Sequence, residues 1–435
     1  MQRLLHSAPE HGEHQRPVTR RPVGADVTSA NDMLSETMTS IPLHPRGYHP
    51  DLPVSGAWRE GDPVGRRRFL TIATDHPFVL SGGGSLERVT LAYETWGELG
   101  PDASNAILVC HALTGDSHAA GSIAPGHPSE GWWNDLIGPG CAIDTSKYFV
   151  VCVNTLGGCQ GTTGPSSIDP ATGQPYGSRF PAVTIRDIVR TQAAVADHLG
   201  VDRWHSIVGG SMGGMQVLEW GVMYPDRVRS LAPLASTVAA SAQQVAWSAV
   251  GRTALALDAR WRGGDYYDAE PGDGPHAGLA IARAIAQITY RSEVVFADRF
   301  HRELVDPHRV YELWDRFQVE SYLDHHGEKL VRRFDANSYV ILNRAMDLHD
   351  IGWGRGGVRA ALQRLNGPVM TLSISSDALY PPYQQREMVE LLEDMGIDCD
   401  YRVVESDQGH DGFLLEAAAV GEVLSDLFDR VGNSP

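Results

Sequence analysis

A serine set among glycines, Gly209-Gly210-Ser211-Met212-Gly213-Gly214, follows the apolar run Ser206-Ile207-Val208 and precedes the helical pattern Met215–Trp220. A serine on such a strand-to-helix turn takes a strained backbone, and only small neighbours fit around it. Its Oγ then stands clear of the sheet, and the next residue's N–H lies at a helix N-terminus, where negative charge is favoured. The pattern G-x-S-x-G in this setting predicts a nucleophile elbow. The competing reading is a phosphate cradle, which needs a following lysine or a G-x-G-x-x-G register; neither is present.

A serine hydroxyl is a weak nucleophile until a base takes its proton, and that base is oriented in turn by a carboxylate. Asp377 closely follows the apolar run Pro368–Ile374, and His410 follows Tyr401–Val404 within Gln408-Gly409-His410-Asp411-Gly412-Phe413. Both therefore fall at the carboxyl edge of a sheet, beside the elbow. Asp407, Asp394 and Asp398 are the other acids in this region, and they are less well placed. An oxyanion needs two N–H donors. Met212 supplies one, and Leu113, in the loop His111-Ala112-Leu113-Thr114-Gly115-Asp116 after Asn105–Cys110, is the choice for the other. His111 and His118 read as loop-packing residues rather than metal ligands, since no HExxH-type cluster accompanies them, and no metal is expected.

These residues need a rigid frame. Short apolar runs bounded by Gly and Pro recur at Asn105–Cys110, Tyr148–Val153, Trp204–Val208, Val228–Leu234, Pro368–Ile374 and Tyr401–Val404. Runs of this kind read as buried strands of a mostly parallel sheet. Between the second and third lies a helix with Thr184 and Asp187 as a capping box, an apolar face of Ile185, Ile188, Val189, Ala193 and Ala196, and Gly200 as its stop. Alternation of strands and helices implies an α/β sheet covered on both faces. It is interrupted from 238 to 356 by a largely helical stretch, read as a lid subdomain inserted between core segments 66–237 and 357–432. Residues 1–65 are rich in His, Pro, Arg and Ser/Thr without apolar period, and read as a disordered extension. Arg66-Arg67-Arg68-Phe69-Leu70 resembles a twin-arginine export signal, but the polar Thr71–Pro77 that follows is no apolar h-region. It reads instead as the first strand.

Composition narrows the function. The 435 residues carry 36 Lys+Arg against 54 Asp+Glu, a formal charge of −18, which works against binding nucleic acid or an anionic membrane. No apolar run approaches the roughly 20 residues of a membrane span. The five cysteines are odd in number and contain no CxxC pair, which fits reduced thiols in the cytoplasm.

From about residue 66 to 430 the chain resembles the homoserine O-acetyltransferases, acyltransferases of methionine biosynthesis with the α/β-hydrolase fold. The resemblance rests on Leu91–Gly97 (LAYETWG), His111–His118 (HALTGDSH), Gly131–Trp133 (GWW) and Asn154–Gly161 (NTLGGCQG), together with Gly209–Gly214. Phe317–Tyr322 (FQVESY), Phe334–Tyr339 (FDANSY) and Gly409–Phe413 (GHDGF) extend it. It implies Ser211 as the acetylated nucleophile, with Asp377 and His410 completing a triad. It also implies Arg283 on the amino-acid carboxylate, Asp411 on the amino group, and a homodimer. No permanently bound cofactor is expected, acetyl-CoA being a co-substrate and L-homoserine the acceptor. Succinyl-specific relatives carry an arginine two residues after the triad aspartate; Leu379 stands there here, which favours the acetyl donor. A homoserine O-succinyltransferase, a serine O-acetyltransferase and an esterase-type hydrolase share the same triad and are the rival readings. A noncatalytic binding scaffold is a fourth.

Overall fold

The computed structural model describes residues 51–432. Eight strands form one sheet: β1 Arg68–Ile72, β2 Val89–Trp96, β3 Ala106–Cys110, β4 Phe149–Val153, β5 Ser206–Gly210, β6 Leu231–Leu234, β7 Val369–Ile374 and β8 Cys399–Val404. Their order across the sheet is β1-β2-β4-β3-β5-β6-β7-β8. β1 pairs antiparallel with β2, and β2 with β4; from β4 onward every pairing is parallel. Strands β3 to β7 are buried at every residue, as expected of near-continuous apolar runs covered on both faces.

Alternate side chains divide between two cores. Leu108, Cys110, Val151 and Ile207 point to the face covered by α1 (Ile185–Leu199) and α2 (Met212–Met223). Ile107, Val109, Val150 and Val208 point to the other, covered by the last helix, Ala417–Gly432, through Val420, Leu424, Leu427 and Phe428. Helix α1 starts where the sequence requires: Thr184 and Asp187 form the reciprocal capping box, and Gly200 closes the helix with a left-handed φ of 73°.

Between β6 and β7 run six helices: α3 Ala242–Leu257, α4 His276–Tyr290, α5 Glu293–Phe300, α6 Gln318–Val331, α7 Ala336–Asp347 and the short α8 Val358–Leu362. Leu255, Leu279, Leu330 and Tyr339 carry their apolar faces into the same core as α1 and α2.

The boundary drawn at residue 65 needs correction. Residues 1–50 of the expected extension lie outside the described residues, but 51–58 are part of the packed structure. Leu52, Val54 and Ala57 are buried, Gly56 N donates to Phe334 O at 3.2 Å, and Trp58 N donates to Cys159 O at 2.9 Å. Ser55 Oγ donates to Asp335 Oδ1 at 2.7 Å. Asp335 also accepts from both Tyr266 and Tyr267 hydroxyls and from Ser338 N, so one buried carboxylate ties this segment to the inserted helices. The segment docks through single side chains and backbone bonds. It therefore carries no period-2 or period-3.6 signal to read.

Candidate active site

Ser211 sits between β5 and α2 with φ 59° and ψ −125°, a left-handed φ that a residue with a Cβ adopts only under constraint. The constraint is visible. Ser211 N donates to Leu234 O at 3.0 Å, and Ser236 Oγ donates to Ser211 O at 2.8 Å. A Cβ on Gly213 would stand 2.1 Å from Cys110 O, and one on Gly210 would meet the Phe413 ring at 2.2 Å. The glycines thus let β3, the elbow and the turn carrying His410 close on one another.

Asp377 and His410 converge on the same edge. His410 Nδ1 lies 2.7 Å from Asp377 Oδ2, and the other carboxylate oxygen accepts from Leu379 N at 2.8 Å and Tyr380 N at 2.9 Å. Both side chains are buried, with residue exposures of 4% and 2%, close to the 6% of Ser211. His410 is held in an aromatic cage: Tyr380, Phe413 and Tyr290 have ring centroids 5.0, 5.3 and 5.9 Å away. Its Nε2 is buried and has no hydrogen-bond partner among the described residues. Burial pushes the Tyr380 phenol well above its ordinary pKa.

The two amides expected to bind the oxyanion lie at the start of α2 and in the loop after β3. Met212 opens α2, so its N–H has no acceptor within the helix. The Leu113 N–H has no acceptor among the described residues. Leu113, Tyr290, Tyr339, Leu379 and Tyr380 line a small cavity of about 40 Å³ whose far wall is Gln244, Trp247 and Ser248 of α3. A larger groove of about 740 Å³ lies elsewhere, between Trp58, Phe69, Thr90, Ser167 and Tyr267, and contains none of these residues.

The guanidinium of Arg283 stands 5.2 Å from the centroid of Tyr290, which in turn packs on His410. Among the described residues it has no carboxylate partner. Asp411, beside His410, is paired with Arg291 at 3.3 Å, and Arg291 also donates to Gln408 Oε1 at 2.8 Å. Reasoning from sequence missed Tyr290, Tyr380 and Arg291. The word Asp377-Ala378-Leu379-Tyr380 held a signal for one of them, a tyrosine three residues after the acid.

His111 and His118 differ in their surroundings. Both nitrogens of His111 are used, Nδ1 with Ala112 O at 2.8 Å and Nε2 accepting from Thr155 N at 3.0 Å, and burial lowers its pKa. His118 belongs to a buried group with Glu94 and His127 whose ligand atoms lie within 4.8 Å of one another, a set the sequence did not suggest. Its geometry is poor for an ion. The His118 and His127 rings stack at 3.8 Å and 9°, so their in-plane lone pairs run parallel rather than converge. His127 Nε2 already accepts from Arg66 N at 2.9 Å.

The family profile for the alpha/beta hydrolase fold matches residues 105–417. The homoserine O-acetyltransferase of Thermobifida fusca (strain YX) is 54% identical over 378 residues, covering 87% of this chain and 98% of that protein. Among solved structures, the homoserine O-acetyltransferase from Bacillus anthracis superposes with a TM-score of 0.78 at 28% identity, covering 84% of this chain and 97% of the other. Esterase E22 superposes almost as well, with a TM-score of 0.77 at 28% identity over 83% of this chain and 99% of its own. The chain thus has the α/β-hydrolase fold and belongs to the homoserine O-acetyltransferase family.

Proposed function

We propose that this protein transfers an acetyl group from acetyl-CoA to the side-chain hydroxyl of L-homoserine through an acetyl-Ser211 intermediate, in two steps. The observation that carries the covalent route is the orientation of His410: Nδ1 on Asp377, and Nε2 buried without a partner among the described residues, at the sheet edge that carries the strained Ser211. His410 Nε2 takes the proton of Ser211 Oγ as the oxygen attacks the thioester carbonyl. The carbon–sulfur bond breaks, and the thiolate of CoA takes that proton back. Homoserine then gives its hydroxyl proton to Nε2, its oxygen attacks the acetyl carbon, and Ser211 leaves and is reprotonated. Both tetrahedral intermediates place their negative oxygen between the Leu113 and Met212 amides.

The acceptor is a zwitterion, and a fixed cation and anion suit it. Arg283, without a carboxylate of its own, takes the carboxylate; Asp411, sharing its charge with Arg291, takes the ammonium. The inserted helices act as the lid that keeps water from the acyl-serine. The reading places the protein in the cytoplasm, in methionine biosynthesis, with no bound cofactor and no part for nucleic acid or a membrane. Its five cysteines carry no disulfide, and no helix among the described residues is long and apolar enough to cross a membrane. A homodimer completes the reading, supported by Tyr311, Leu313 and Trp314, which stand almost fully exposed between α5 and α6.

The likeness to esterase E22 favours one second reading, hydrolysis of the acyl-serine by water. Release of the CoA thiol from acetyl-CoA or succinyl-CoA, with homoserine, serine or no acceptor, separates them. Rapid release only with acetyl-CoA and homoserine is expected. Release that persists without an acceptor means a hydrolase, and preference for serine or succinyl-CoA means one of the related transferases.

A further inference from the structure

One polar side chain behind the elbow has no part in the scheme above. Gln216 lies one turn into α2, fully buried, and its amide nitrogen donates twice: to His111 O at 3.1 Å and to Met212 O at 3.1 Å. The first carbonyl belongs to the loop that presents the Leu113 N–H, the second to the residue that presents the other N–H. Its amide oxygen is held as well, accepting from Gln192 Nε2 at 2.6 Å, while Gln192 Oε1 accepts from Trp220 Nε1 at 2.8 Å. Both N–H groups of Gln216 are engaged, so the two carbonyls themselves hold its amide in place.

From this geometry we propose that Gln216 is a positioning residue that sets the gap between the two oxyanion donors. The inference rests on the oxyanion roles of Leu113 and Met212. The loop after β3 and the first turn of α2 belong to different elements, separated by about a hundred residues of chain. Backbone comes close between them where Gly213 meets the Cys110 and His111 carbonyls. An oxyanion hole works by donors held in place before charge develops, and a displacement of the order of 1 Å costs up to about a hundredfold in rate. An amide with two N–H groups is suited to bridging two carbonyls. Glutamate has the same length but offers two acceptors, and a hydrocarbon offers nothing.

The test uses full-length Gln216→Met, Gln216→Glu and Gln192→Leu variants, assayed with acetyl-CoA plus homoserine and separately with p-nitrophenyl acetate. The ester needs the oxyanion hole whatever the natural acceptor, so this arm reads Gln216 even if the homoserine reading fails. Gln192→Leu breaks the same buried network where it touches neither oxyanion peptide, and is the control for loss of packing. The expected result is a fall in kcat of about tenfold or more for both Gln216 variants on both substrates, with KM within about threefold. Gln192→Leu, at a similar loss of thermal stability, keeps kcat within about threefold. Should Gln216→Glu not fold, Gln216→Met alone decides. Wild-type kcat in Gln216→Met, or an equal loss in Gln192→Leu, overturns the proposal; inactivity of the wild type on homoserine with a normal ester rate overturns only the acceptor assignment.

Discussion

His410 Nδ1 is 2.7 Å from Asp377 Oδ2, and the opposite nitrogen of the same ring is buried with no partner among the described residues. A carboxylate only accepts hydrogen bonds, so the ring carries its proton on Nδ1 and presents a lone pair at Nε2. The Leu379 and Tyr380 amides hold the carboxylate from the other side.

Asp377→Asn preserves shape but lets an amide N–H face Nδ1, which favours the wrong tautomer. The kcat for CoA release should fall by about 10³- to 10⁴-fold with little change in thermal stability. A loss under tenfold in a stopped-flow assay would remove Asp377 from this role.

Arg283→Ala should raise the homoserine KM by about ten- to a hundredfold, the value of one charged hydrogen-bonded contact, and leave the acetyl-CoA KM within about twofold. Steady-state kinetics with each substrate varied checks this. An unchanged homoserine KM would take Arg283 out of the acceptor site.

Asp335→Ala tests the tie between residues 51–58 and the inserted helices. It leaves the Ser55, Tyr266 and Tyr267 hydroxyls and Ser338 N without their acceptor in a buried place. A loss of roughly 3 kcal/mol or more is expected. A calorimetric Tm lower by about 5 °C or more would agree; an unchanged Tm would mean that this carboxylate does not hold the segment.

Acid should destabilise the fold through histidines buried in the neutral form. Burial pushes both His205 and His349 down to about 4 from an ordinary value near 6.5. Between these values the unfolded chain holds protons that the native one lacks, so stability falls as pH drops from about 6.5 toward 4. Two such protons correspond to roughly 3 kcal/mol per pH unit near pH 5. Urea unfolding at pH 6.5 and pH 5 measures it, and equal stabilities would show these rings to be protonated or exposed in the native state.

How much of this was legible in the sequence follows from where the signal lies. Ser211 and its glycines form a local pattern in which steric need and chemistry coincide, and the parallel strands announce themselves as apolar runs. Asp377 and His410 were placed by the edge of the sheet on which their strands end. Arg291 and Tyr290 were not, because their roles come from the packing of α4 and the turn after it against the His410 turn, which no periodicity encodes. Gln216 lies inside a recognised motif, yet on its own it is one more polar residue in a helix. Only the positions of His111 O and Met212 O give it a meaning. The stacked His118 and His127 come from loops on either side of Gly121 and Gly126, and their meeting depends on turns that the sequence does not specify by pattern.

Mixing the protein with acetyl-CoA in the absence of homoserine and examining the intact chain and its Ser211 peptide by mass spectrometry tests the covalent route most directly. The account predicts one acetyl group on Ser211 that persists without acceptor and is discharged as O-acetylhomoserine when L-homoserine is added. An unmodified Ser211 during turnover, or an adduct that water removes as fast as homoserine does, would contradict it.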